Sequence, residues 1–252
     1  MTSSGKPGGV SLQILGSGDA FGSGGRFQTC LLLRGEPGSI LIDCGASSLI
    51  AMKRAGVDPG EIGWILLSHL HGDHFGGVPF LILDAQFSRR TRPLVIAGPP
   101  GTRERAEAAM EVFFPGSSGT VQRFPIEYVE LGDRTPQAVG PATVTPFAVR
   151  HASGAPAYAL RVECDGKTVT YSGDTEWTES LVDATRGADL LVCEAYFLDK
   201  AVRYHLDYAT LLRERHRLEC GRILLTHMSH DMLGRLGEVA LECAHDGQVI
   251  EL

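Results

Sequence analysis

Ser68-His69-Leu70-His71-Gly72-Asp73-His74 places three imidazoles and a carboxylate within six positions. The apolar run Ile62-Gly63-Trp64-Ile65-Leu66-Leu67 leads into it and Gly76-Gly77 follows. The run reads as a buried strand, so the polar cluster occupies the loop at its end. Borderline divalent metals bind neutral imidazole nitrogen and carboxylate oxygen. Four such groups exceed what one tetrahedral ion draws from a single loop. The spacing therefore predicts a two-metal site completed from other segments. A lone His-x-His would read as well as a solvated turn.

Upstream, residues 10–15 alternate as a first strand and enter the loop Gly16-Ser17-Gly18-Asp19-Ala20-Phe21-Gly22-Ser23-Gly24-Gly25-Arg26. Those glycines match neither the P-loop nor the dinucleotide fingerprint, so an active-site rim is expected rather than a phosphate cradle. Further strands are predicted over 29–34, 39–43, 62–67, 94–97, 126–131, 143–149, 157–163, 167–172, 189–194 and 222–225. Helices are predicted over 46–55, 78–87, 102–114, 179–186, 208–217 and 236–244. Residues 78–87 are apolar all round, as in a helix buried against a sheet. Phe113-Phe114 reads as core or pocket wall. The alternation indicates a layered α/β fold with helices outside two packed sheets. Residues 1–9 are small and polar and are expected to form a disordered tail before a single domain, 10–252.

The 252 residues are 43% hydrophobic and 21% charged, enough for a sizeable core. No apolar run reaches the length of a membrane span, and residues 1–9 lack the apolar centre of a secretory signal. A cytoplasmic location without membrane contact is expected. Cys30, Cys44, Cys164, Cys193, Cys220 and Cys243 include no Cys-x-x-Cys pair, so buried reduced thiols are expected rather than disulfides or a zinc knuckle. The net charge of −7 argues against broad nucleic-acid binding, which draws affinity from neutralising phosphates. Arg89-Arg90-Thr91-Arg92 and Arg213, Arg215 and Arg217 read as solvated faces.

Of nine histidines, His69, His71, His74, His151 and His227 fall at predicted strand ends. Asp174 does the same, within Ser172-Gly173-Asp174-Thr175. With Asp73 these make seven candidate ligands from four strand–loop junctions. In sequence order, the His-x-His-x-Asp-His loop, the single His151, Ser-Gly-Asp-Thr and Thr226-His227-Met228-Ser229 resemble the metallo-β-lactamase superfamily over nearly the whole chain. Gly16-Ser17-Gly18, Gly173-Asp174-Thr175 and Leu225 to Ser229 resemble its ribonuclease Z-like phosphodiesterases. The resemblance implies an αββα sandwich, two mixed sheets flanked by helices, with the site at one edge. It implies that His69, His71 and His151 hold one ion, that Asp73, His74 and His227 hold the other, and that Asp174 bridges them. Zinc is the expected metal, and manganese or iron fits the same donors. A homodimer is a further family-level expectation.

Two ions sharing a water lower its pKa and clamp an anionic centre. A phosphodiester gains from that charge, and Asp73 counts here as a catalytic residue as well as a ligand. A poor leaving group also needs a proton. His205, in Tyr204-His205-Leu206-Asp207-Tyr208-Ala209-Thr210, lies in a segment resembling the histidine-bearing stretch after the Gly-Asp-Thr strand of these phosphodiesterases. It is the candidate general acid or phosphate contact, and Glu194, at a nearby strand end, is the candidate to orient it. The plainer readings are a surface histidine and a core-edge carboxylate. His230 could reach substrate or pack beside the site; His216 and His245 read as solvated. The tRNA-maturing members carry an inserted arm rich in Gly and Pro. Here one hairpin separates His151 from Asp174, and His230-Asp231-Met232 stands where those nucleases place a basic residue. A small or cyclic anionic phosphodiester is therefore the expected substrate, not tRNA. The alternatives are a lactone or thioester hydrolase with the same ligands and a tRNA 3′-processing endonuclease.

Overall fold

Strands apolar on both faces demand cover on both faces, and the chain supplies it with two sheets and two helical layers. The computed structural model describes residues 9–252; the expected tail, apart from Gly9, lies outside the described residues. The chain forms β1 (Ser11–Gly16), β2 (Cys30–Gly35), β3 (Gly38–Ile42), α1 (Ser48–Arg54) and β4 (Ile62–Leu66). The histidine loop then enters the one-turn α2 (Gly72–Phe75), followed by α3 (Val78–Phe87), β5 (Leu94–Gly98), α4 (Thr102–Phe113) and β6 (Ile126–Glu130). Next come β7 (Gln137–Val139), β8 (Ala142–Val149), β9 (Ala157–Cys164), β10 (Lys167–Tyr171), α5 (Glu179–Thr185) and β11 (Ala188–Glu194). The last elements are α6 (Tyr208–Glu214), β12 (Cys220–Thr226), α7 (His230–Gly234), β13 (Glu242–Cys243) and β14 (Val249–Glu251).

One seven-stranded sheet runs β14-β1-β2-β3-β4-β5-β6 and the other β13-β12-β11-β10-β9-β8-β7. Both mix parallel and antiparallel pairs. Leu31 and Leu33 face the space between the sheets and Leu32 the opposite side, the period of two of a strand. Between the sheets, Leu12, Ile14, Ile40 and Ile42 share a core with Val144, Leu160, Val169 and Val192. Outside the first sheet, Leu41, Ile65 and Ile96 pack with Met52, Leu81 and Met110 of α1, α3 and α4. Outside the second, Ala159, Leu191 and Leu225 pack with Leu181, Leu211 and Met232 of α5, α6 and α7. Each large aliphatic side chain so buried contributes about 1.5–3 kcal/mol. This is the expected αββα sandwich.

Several local expectations fail. No helix spans 236–244: a 3₁₀ turn occupies Leu236–Glu238, and Glu242–Cys243 pairs in parallel with Leu224 and Leu225. Gly237 weakens a helix there, and sheet pairing overrides the periodicity. Phe113 is 48% exposed, and its ring and that of Phe114 lie 5.5 and 5.4 Å from Phe80. They form a surface cluster, not core. Phe87 is 82% exposed, so α3 is not buried all round. The six cysteines are free, four of them buried. No helix among the described residues is long and apolar enough to cross a membrane.

Arg90 also departs from its reading as solvated. It is buried, and its guanidinium donates to the carbonyl oxygens of Ile62, Arg92 and Pro93 at 2.7 Å each. It thereby ties the start of β4 to the approach to β5. Arg90→Ala should cost about 2–3 kcal/mol and lower the unfolding midpoint by about 5–10 °C in calorimetry. The exposed Arg89→Ala should shift it by no more than about 1 °C; equal shifts would contradict this assignment.

Candidate metal centre

Each candidate ligand sits where a strand stops. β4 ends at Leu66, and α2 carries Asp73 and His74 in its single turn. The Cys44 N–H donates to the His74 carbonyl at 2.6 Å and the Gly77 N–H to the Cys44 carbonyl at 2.8 Å, fastening this loop to the end of β3. Gly173 has φ +59°, and a Cβ there would stand 2.7 Å from the Tyr158 carbonyl oxygen. Only glycine fits that turn, which carries Asp174. His227 follows β12 with φ +56°, its N–H donating to the Ser17 carbonyl at 3.1 Å. The glycine-rich loop therefore borders the site. His151 follows β8.

Asp174 is the hub. Its Oδ1 lies 3.3 Å from His74 Nε2, and its Oδ2 lies 3.4, 3.9 and 4.0 Å from Nε2 of His227, His151 and His69. Asp73 Oδ2 is 3.2 Å from Nε2 of both His74 and His227. His71 Nδ1 is 3.0 Å from His151 Nε2. The donor atoms of His69, His71 and His151 form one group within 4.8 Å of one another, and those of Asp73, His74, Asp174 and His227 form a second. All seven predicted residues thus meet. Nε2 of His69 is buried with no hydrogen-bond partner among the described residues, and Nε2 of His74 and Oδ1 of Asp174, though 3.3 Å apart, likewise make no bond of hydrogen-bonding geometry. Leaving such an atom unmet costs about 1–3 kcal/mol. A divalent cation would satisfy these atoms, and imidazole with carboxylate suits zinc, manganese or iron.

The groups perturb one another. Burial, with His74 beside it, pushes the His69 imidazole well below its ordinary pKa. Burial also opposes charge on His74 and His227, but Asp174 and its fellow carboxylates override it. His74 is raised well above the ordinary value and His227 to about 10. Burial would raise Asp73 and Asp174 in turn, yet His74 beside the first and His227 beside the second hold both well below the usual carboxylate range. Imidazole binds a cation through its neutral form, so a cation at these residues would compete with protons.

A second layer fixes the candidate ligand imidazoles. His74 Nδ1 donates to Asp43 Oδ2 at 2.7 Å, and Ser68 Oγ donates to the same oxygen at 2.8 Å. Ser68 Oγ in turn accepts from His69 Nδ1 at 3.1 Å. His151 Nδ1 donates to the Tyr204 carbonyl at 2.9 Å. In all three rings the Nδ1 proton is committed, and Nε2 is left for the cluster. Sequence reasoning alone does not single out Asp43 or Ser68. The available signal is an acid ending an apolar strand, which here is fully buried.

Glu194 is fully buried at the end of β11. Its Oε2 accepts from the Thr175 and Leu206 N–H groups at 2.9 and 3.3 Å. Its Oε1 accepts a short hydrogen bond from His205 Nδ1 and lies 3.5 Å from His227 Nδ1. His205 Nδ1 is 4.0 Å from Asp174 Oδ2, and 23% of the His205 side chain is exposed. Tyr196, absent from the sequence-derived candidates, stacks on the His205 ring at 4.7 Å. His216, His230 and His245 are exposed and stand outside these groups. Asp43→Asn presents an amide donor where two donors already converge. It should weaken metal affinity about 10–100-fold, measured as metal retained after dialysis against a chelator; wild-type retention would contradict the role given to Asp43.

The model of the β-lactamase superfamily domain matches residues 39–228. Ribonuclease Z of Methanothermobacter thermautotrophicus is 30% identical, over 93% of this chain and 91% of that protein. The crystal structure of the short form of human tRNase Z has a TM-score of 0.77 at 25% identity, covering 96% of this chain and 98% of that one. The metallo-β-lactamase fold protein YhfI from Bacillus subtilis has a TM-score of 0.79 at 22% identity, covering 97% and 100%. With the fold, the His/Asp clusters and these likenesses in agreement, the chain belongs to the metallo-β-lactamase superfamily, in its ribonuclease Z-like branch, and is a hydrolase.

Proposed function

We propose that the chain is a two-metal phosphodiesterase acting on a small or cyclic phosphodiester. His69, His71 and His151 would hold one ion and Asp73, His74 and His227 the other, with Asp174 shared. When bound, the ions supply positive charge for an anionic substrate and acidify water. The observation that carries the reading is the Glu194–His205 pair beside the ligands. Glu194 fixes His205 through Nδ1, and Nε2 can give a proton to a departing alkoxide. A phosphodiester needs that proton because alkoxide is a poor leaving group. Asp73 joins the catalytic group through its place between His74 and His227. The free cysteines suit a reducing cytoplasm.

A second reading, tRNA 3′ processing, is favoured by the ribonuclease Z and tRNase Z likenesses. The span between His151 and Asp174 is only the β9–β10 hairpin, which offers no arm to grip tRNA. Zinc- or manganese-loaded protein should hydrolyse bis(p-nitrophenyl) phosphate, and Asp174→Ala should abolish turnover. On diesters with an alkyl leaving group, His205→Ala should lower kcat by about 10²–10⁴. The penalty should shrink with p-nitrophenolate, which departs without a proton. Hydrolysis of lactones or thioesters but no phosphodiester by metal-loaded protein would overturn the reading, and cleavage of precursor tRNA alone would favour the second.

A further inference from the structure

We propose that Tyr196 is a positioning residue, whose ring fixes the plane of the His205 imidazole and so aims Nε2 at the oxygen that departs. The inference rests on the phosphodiesterase reading above and adds a residue to it. Glu194 holds His205 at a single atom, Nδ1. One hydrogen bond fixes a point and leaves the ring free to turn about that contact. Room to turn exists, because His205, Trp177 and Arg203 are among the walls of a cavity of about 410 Å³. Setting the direction of Nε2 takes a second restraint, one that acts on the face of the ring.

Three rings stand around His205. His151 meets it edge to face, with centroids 5.1 Å apart and planes at 77°, and His227 lies 6.0 Å away. Both are candidate ligands, so their orientation answers to the metal centre. Tyr196 is nearer, at 4.7 Å with 29° between the planes, in the range of offset stacking. Tyr196 is itself braced. Its N–H donates to the Leu206 carbonyl at 2.8 Å, its carbonyl accepts from the Ser229 N–H at 3.0 Å, and the Phe197 ring packs against its own at 4.8 Å. The first of these bonds ties it to the residue after His205, so the imidazole and its backbone are gripped from one place. None of these contacts runs through the phenol hydroxyl. The ring is the part that acts, and a phenyl ring would do the same. An imidazole carrying its proton gains further, because an aromatic face attracts positive charge. A misaimed donor costs rate only where a proton is needed. Alkoxide needs one to depart and p-nitrophenolate does not.

The test compares zinc-loaded wild type, Tyr196→Phe and Tyr196→Ala on the two kinds of diester used for His205→Ala, one with an alkyl leaving group and one with p-nitrophenolate. Tyr196→Ala should lower kcat on the alkyl diester about 10–100-fold, with KM little changed. On the p-nitrophenyl diester it should lower kcat less than about threefold, since no proton is awaited there. Tyr196→Phe should match the wild type on both. Equal losses on the two diesters, or a Phe variant as impaired as the Ala variant, would overturn the role. Tyr196→Leu, bulky but without an aromatic face, carries the test if Tyr196→Ala fails to fold. A readout without turnover is the proton resonance of His205 Cε1, which the stacked ring shifts. That shift should vanish in Tyr196→Ala and persist in Tyr196→Phe; an unmoved resonance would overturn the stack. Failure of the phosphodiesterase reading shows separately, as a wild type that turns over neither diester, and the aiming role falls with it.

Discussion

Seven polar side chains share one mostly buried space only because opposite charges face each other at 3–4 Å around Asp174. Buried charge is costly unless it is paired and hydrogen-bonded. The surrounding architecture meets that condition in layers. Asp174 and Asp73 face the imidazoles, while Asp43, Ser68 and the Tyr204 carbonyl hold the outer ring nitrogens. Glu194 holds His205. The same arrangement leaves buried Nε2 and Oδ1 atoms without a hydrogen-bond partner among the described residues, which a cation would satisfy.

The sandwich makes this convergence possible. β4 of one sheet and β8, β10, β11 and β12 of the other end near one another, and the Tyr158 N–H bonds the Ser68 carbonyl across the join at 2.9 Å. Rigid strands set where each candidate ligand begins, and short loops set where it ends. Left-handed backbone at Asp43, Gly173, Tyr204 and His227 lies within this small volume. Such conformations persist where surrounding structure over-determines them, and they gather at functional sites. The centre is therefore held by the fold, not by local propensity.

Much of this was legible in the residues because four candidate ligands fall within six positions and follow an apolar strand. His151, Asp174 and His227 are legible only as a set, since each alone is an ordinary polar residue past a strand. Asp43 was not, because its role depends on β3 lying beside β4, a tertiary fact. Arg90 was misread for the same reason: a basic cluster looks solvated until the carbonyls around it are placed. β7 and β13, three and two residues long, carry no periodicity to detect. The helix expected over 236–244 failed where pairing with β12 outweighed the pattern. The cavity beside His205 is likewise invisible in the sequence, being formed by segments 24 or more residues apart.

The central claim is that this cluster is a two-metal centre. Metal analysis of protein reconstituted with zinc, joined to X-ray absorption at the zinc edge, tests it most directly. The account predicts about two ions per chain, with nitrogen and oxygen ligands at about 2.0–2.2 Å and no sulfur. One ion or none at saturation, or sulfur in the shell, would contradict it.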